Sequence, residues 1–91
     1  MYYRRIGASA ARKFQVYHTG DNNLSNPFPT WLQGMILLGQ VRVGDDHLMV
    51  HTYTGDWRRV GPDKVVCYDS CFGMMEMSAA DFEQHWEAIQ P

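Results

Sequence analysis

From Gly39 to Gly73 the chain meets a turn former every few residues. These are Gly39, Gly44-Asp45-Asp46, Gly55-Asp56, Gly61-Pro62-Asp63 and the stretch 69–73. A helix needs roughly 12 residues before it is more than marginal in isolation, whereas strands of about five residues are ordinary. The segments between the turns are strand-like. Val41 and Val43 fall on one face of 40–43. Segment 48–53 alternates, with Leu48, Val50 and Thr52 on one side and Met49, His51 and Tyr53 on the other. That is the period-two signature of a half-buried strand. Segments 57–60, 64–68 and 74–77 follow. Connections this short join antiparallel strands.

The flanks add three elements. Residues 14–18 alternate again and predict a strand with Phe14 and Val16 inward, while 8–13 fit either strand or helix. Residues 19–29 are rich in Gly, Asp, Asn, Ser and Pro and read as a loop. Phe28 stands in that loop between two prolines, either folded back on the core or exposed as a contact point. Thr30 is the expected N-cap of a helix over 31–38. Trp31, Met35 and Leu38 form its apolar stripe, Leu32 and Ile36 lie beside them, and Gly39 stops it. Ser78-Ala79-Ala80-Asp81 is similar to a capping box. The helix it opens is expected to carry Phe82, Trp86 and Ile89 on one face.

The expected fold is α+β: a strongly bent antiparallel sheet, or a small partly open barrel, of about five strands with two short helices. Trp31, Phe82 and Trp86 are its expected core anchors. Ninety-one residues suffice for one domain. A hydrophobic share of 45% is that of a folded chain.

Eight Lys and Arg against ten Asp and Glu leave a formal charge of −2. That balance argues against a protein whose affinity rests mainly on phosphate neutralisation. No apolar run approaches the roughly 18 residues of a membrane span, and the first residues lack the apolar core of a signal peptide. With two cysteines, the expectation is a cytoplasmic chain with free thiols. Cys67 and Cys71 also allow a disulfide across the turn, or half of a zinc site, but no second ligand pair accompanies them.

No catalytic pattern emerges, and the expectation is a protein that is not an enzyme and uses no cofactor. His18, His47, His51 and His85 are the general-base candidates near neutral pH. Neither Asp46 beside His47 nor Glu83 near His85 has a diagnostic spacing. Phosphate-loop, dinucleotide-binding and nucleophile-elbow glycine patterns are missing from the sequence. Half of the basic residues lie at Arg4, Arg5, Arg12 and Lys13, and Arg58 and Arg59 follow Trp57. With nearby aromatics they form a candidate stacking and phosphate-contact surface. Met74, Met75 and Met77 place Met on both faces of one strand, so the final helix is expected to cover one of them.

Several short patterns occur in a familiar order. They are Tyr3-Arg4-Arg5, Phe14-Gln15-Val16-Tyr17 with Thr19-Gly20, and Pro29-Thr30-Trp31-Leu32. Thr52-Tyr53-Thr54-Gly55, Gly61-Pro62-Asp63, Gly73-Met74-Met75 and Phe82-Glu83-Gln84-His85-Trp86 follow. In this the chain resembles a group of small uncharacterised proteins of tailed phages and prophages that carry a Pro-Gly-Asp-Tyr turn. It departs from them at that turn: Gly61-Pro62 reverses Pro-Gly, Lys64 replaces the aromatic, and Thr54 stands at the group's Glu position. The resemblance implies a fold and a phage setting, and carries over no catalytic residue.

The leading functional expectation is therefore a phage or prophage accessory protein that binds a host protein without catalysis, as an inhibitor or adaptor. Its candidate contact residues are Arg4, Arg5, Phe28, Tyr53, Trp57, Arg58 and Arg59. The alternatives are a single-stranded nucleic-acid binder, a small-ligand or nucleotide binder, and a structural virion part. No membrane partner is expected.

Overall fold

The computed structural model describes residues 2–7, 13–20 and 27–89. The undecided segment 8–12, with Arg12, and the loop residues 21–26 lie outside the described residues. The chain runs β1 (Tyr2–Arg5), β2 (Gln15–His18), α1 (Thr30–Leu37), β3 (Val41–Val43), β4 (Leu48–His51) and β5 (Trp57–Val60). It continues through β6 (Lys64–Asp69), β7 (Gly73–Ser78), α2 (Ala79–His85) and β8 (Trp86–Ile89). The fold is mixed α+β with two short helices. Among the described residues it has eight strands rather than about five, arranged in three sheets with orders β1-β8, β2-β6-β7 and β3-β4-β5. Every pairing is antiparallel.

The β2-β6-β7 sheet is the middle layer. On one side, Tyr17, Val66 and Met74 pack with Leu32 of α1 and with Val41, Leu48, Val50 and Val60 of the β3-β4-β5 sheet. On the other, Phe14, Val65 and Cys67 pack with Phe82 of α2, and Tyr3 and Trp86 close over them. Both faces of β6 are covered, so Val65, Val66 and Cys67 are buried in succession. A strand covered on both faces has no solvent side for polar residues. β2 shares this situation. Phe14 and Val16 face the α2 side as expected, but Tyr17, assigned to the outward set by alternation, is buried on the α1 side.

α1 differs from expectation in its cap and its face. Pro29, not Thr30, is the N-cap: its carbonyl accepts from Gln33 N at 3.0 Å, and no side chain caps the helix. The C-terminus closes as a Schellman motif. Gly39 N donates to Ile36 O (3.1 Å) and Gln40 N to Met35 O (2.9 Å), with Gly39 at φ +78°. The buried anchor is Leu32, while Leu37 and Leu38 stand 88% and 69% exposed.

α2 opens as expected, with Ser78 Oγ accepting from Asp81 N at 3.1 Å. It stops at His85, where Trp86 turns extended and starts β8. Trp86 and Ile89 therefore lie on a strand rather than on the helix. The cause is tertiary: β8 pairs along the whole of β1, from Tyr2 opposite Ile89 to Arg5 opposite Trp86. Phe82 is buried, and the Trp86 ring meets Phe14 edge-on at 5.1 Å. Met75 and Met77 pack on the α2 side, so the helix does cover the second face of the methionine strand.

The Gly61-Pro62-Asp63 turn is tied to the end of β2. The Thr19 hydroxyl hydrogen-bonds the Gly61 and Lys64 carbonyls, and Ala79 N donates to Asp63 O at 2.8 Å. Gly20 runs so close that a Cβ there would overlap the Pro62 carbonyl.

Candidate functional site

The β3-β4-β5 sheet buries Val41, Leu48, Val50 and Val60 on its inner face. Alternation sends their neighbours to the outer face. The register sets Arg42 opposite Met49 and Met49 opposite Arg59, with His51 opposite Trp57. The Arg42 guanidinium carbon lies 4.7 Å from the centre of the Trp57 ring, a cation–π contact. On the same ring, His51 approaches to 5.1 Å at a 42° tilt. Trp57 remains 39% exposed. Three neighbouring strands thus present an arginine, a tryptophan and an imidazole in one contiguous group.

The group is held in place from behind. His51 N donates to Gln40 O at 2.9 Å, which extends the β3-β4 ladder by one rung. The His51 ring Nε2 donates to Gly55 O at 3.1 Å, and Nδ1 lies 2.8 Å from the Gln40 side-chain amide. An imidazole engaged at both nitrogens keeps its ring plane, and with it the seat of Trp57.

The charges around this face are unequal in their partners. Arg59 reaches Asp46 at 3.3 Å, and His47 Nδ1 approaches the same carboxylate oxygen at 2.9 Å. The His47 hydrogen bond, with the nearby Arg59 charge, holds the Asp46 carboxyl below its ordinary range. Arg58 lies 3.6 Å from Asp56. Arg42 makes no ion pair among the described residues; its partner is the Trp57 ring.

Beside the group lies an open crevice of about 200 Å³. Met35, Met74, Tyr68 and Tyr53 form its apolar walls, and Gln40 and His51 contribute polar atoms. The Tyr68 wall is stiff: its ring stacks flat on Trp31, 5.1 Å away with the planes 2° apart. Tyr53 leans on Phe72 at 4.3 Å. His51 therefore belongs to both the crevice and the Arg42–Trp57 group.

The structure gathers only some of the residues expected at a site. Trp57 and Arg59 are on the outer face. Tyr53 is exposed at the crevice, in the β4-β5 loop. Arg58, opposite Val50, lies by a separate depression with Tyr53 and Glu76. Arg4 pairs with Glu87 at 2.8 Å on the β1-β8 sheet, and Arg5 lies near Asp81 and His85. The basic surface expected from Arg4, Arg5, Arg58 and Arg59 is thus divided between sheets. Phe28 is half-buried and packs against the core, edge-on to Tyr17 at 5.7 Å. Arg42 and Gln40 were not among the expected site residues, and His51 stood only as a general-base candidate, not as a contact residue. Alternation alone puts Arg42 outward, but its meeting with Trp57 depends on a three-strand register.

Both cysteines are free, Cys67 buried and Cys71 exposed. Burial pushes the Cys67 thiol up to about 12. Among the described residues, no three His, Cys, Asp or Glu side chains are grouped to hold a metal ion, and no helix is long and apolar enough to cross a membrane. Comparison with protein-family models, curated proteins and solved structures returned no match.

Proposed function

We propose that this chain is a non-enzymatic binding module of a phage or prophage, acting in the cytoplasm of the bacterial host on a host protein, as an inhibitor or adaptor. The observation that supports this reading is the exposed Arg42–Trp57–His51 group on the outer face of the β3-β4-β5 sheet. Tryptophan and arginine dominate the energetic centres of protein interfaces. Here both are pre-positioned by the sheet and by each other, so little side-chain freedom is lost on docking. The crevice alone is small for a free ligand, since such sites usually span about 300–1,000 Å³.

The test is affinity capture from nuclease-treated and untreated host lysate, with wild-type protein and a Trp57→Ala variant side by side. A host protein retained after nuclease treatment and lost with Trp57→Ala is the expected result. Retention that ignores Trp57→Ala would reject this face. A second reading, single-stranded nucleic acid stacked on Trp57 beside Arg42 and Arg59, draws on the same pairing of aromatic and cation. It predicts capture that disappears with nuclease and weakens steeply with salt.

A further inference from the structure

The proposed host-protein reading leaves the chemistry of the partner open, and the crevice beside Trp57 narrows it. Its size, about 200 Å³, exceeds the roughly 150 Å³ cavity that holds a benzene ring. One aromatic side chain fits, between Met35, Met74 and the stacked Tyr68, with the hydrogen-bonded Gln40–His51 pair forming the polar side of the crevice. The neighbouring charge is positive and unclaimed: Arg42 is braced on Trp57 and has no carboxylate partner among the described residues. Such a guanidinium favours a carboxylate, which it can take bidentately.

The spacing links the two. Arg42 lies 4.7 Å from the Trp57 ring, and the Trp57 ring lies 5.1 Å from His51 at the crevice. The two legs together bound the separation, and at about 3.3 Å per residue an extended chain crosses it in three residues or fewer.

Resting on the host-protein reading, we infer that this face recognises an extended acidic segment of its partner. An aromatic side chain of that segment enters the crevice, and a carboxylate no more than three residues along meets Arg42. Charge complementarity selects the acidic flank and the crevice selects the ring. Neither alone makes a specific site.

The experiment uses the full chain, ¹⁵N-labelled, titrated with the capped peptide Trp-Thr-Thr-Glu-Glu. Two controls replace its Trp by Ala or both Glu by Gln, and oligo-dT is titrated separately. The expected result is chemical-shift change at Gln40, His51 and Gly73, with weaker binding by both control peptides. Arg42→Gln should weaken the parent peptide about tenfold, the loss of one charge-assisted contact, and leave the Glu-to-Gln peptide unchanged. Met35→Trp, which fills the crevice from α1, should abolish the difference between the Trp and Ala peptides. Equal binding of the Trp and Ala peptides, shifts confined to other surfaces, or tighter binding of oligo-dT at these residues would each overturn the inference. Trp57-dependent capture of a host protein alongside peptide failure would overturn the segment chemistry and leave the host-protein reading standing.

Discussion

Cys67 and Tyr17 are buried on opposite sides of the β2-β6-β7 sheet, and each is kept in its neutral form by desolvation. Both are acids whose folded-state pKa is raised, so the folded state holds their protons to higher pH than the unfolded chain does. Their contribution is fully present below the unfolded values. It is lost as pH rises through them, from about 9 toward 12 for the thiol. The expected outcome is a melting temperature that falls above pH 9 and falls less steeply in Cys67→Ala. An unchanged slope in that variant would remove Cys67 from the account. In native protein at neutral pH, a thiol reagent should modify Cys71 quickly and Cys67 only after unfolding. The Tyr17 hydroxyl is also buried without a hydrogen-bond partner among the described residues. An unsatisfied buried hydroxyl costs about 1–3 kcal/mol. Tyr17→Phe should therefore leave stability equal or higher by urea denaturation; a loss above about 1 kcal/mol would mean that the hydroxyl has a partner after all.

At the level of elements, α1 separates composition from placement. Its sequence offers five large apolar residues after Trp31, and a wide stripe is drawn from them easily. The helix buries Leu32 fully and leaves Leu37 and Leu38 in solvent. Leu32→Ala should cost about 2–5 kcal/mol, because its cavity forms among well-packed neighbours. Leu38→Ala should change the denaturation midpoint little, since surface substitutions stay within about 0.5 kcal/mol. Comparable losses would place Leu38 in a buried contact. The strands of 40–77 were readable because each is short and ends at a turn former whose reason is local, and the first two also alternate. The stop of α2 at His85 was not readable. Residues 82–89 keep helical spacing at Phe82, Trp86 and Ile89, and only β1, more than 80 residues away in sequence, draws Trp86 to Ile89 into a strand. The site divides in the same way. Trp57 and Tyr53 stand out by residue type, whereas Arg42 and His51 join them through cross-strand register. Arg4 and Arg5 look like partners of Arg58 by charge but belong to another sheet.

Across the whole molecule, the three sheets are held by two cores that share one middle layer, and the termini close the second of them. β1 and β8 pair with each other, and β1 reaches β2 through Tyr3 and Phe14, each donating its N–H to the other's carbonyl at 2.8 Å. Trp86 is the hinge of this arrangement. Its ring meets Phe14 at 5.1 Å and Phe82 at 5.9 Å, joining β8 to β2 and α2. Because Trp86 is only half-buried, Trp86→Ala should fall at the low end of the aromatic-to-alanine range, about 3 kcal/mol. The outer face of β3-β4-β5 lies across the middle layer from Trp86, on a sheet anchored by the other core. If the two cores unfold as one unit, as small domains usually do, Trp86→Ala lowers the single melting transition while peptide shifts at Gln40 and Gly73 persist below it. Hydrogen exchange would separate the cases. Protection lost equally from β4 and β6 means one cooperative unit. Protection lost only from β1, β8 and α2 would mean that the terminal layer opens on its own and the binding face folds without it.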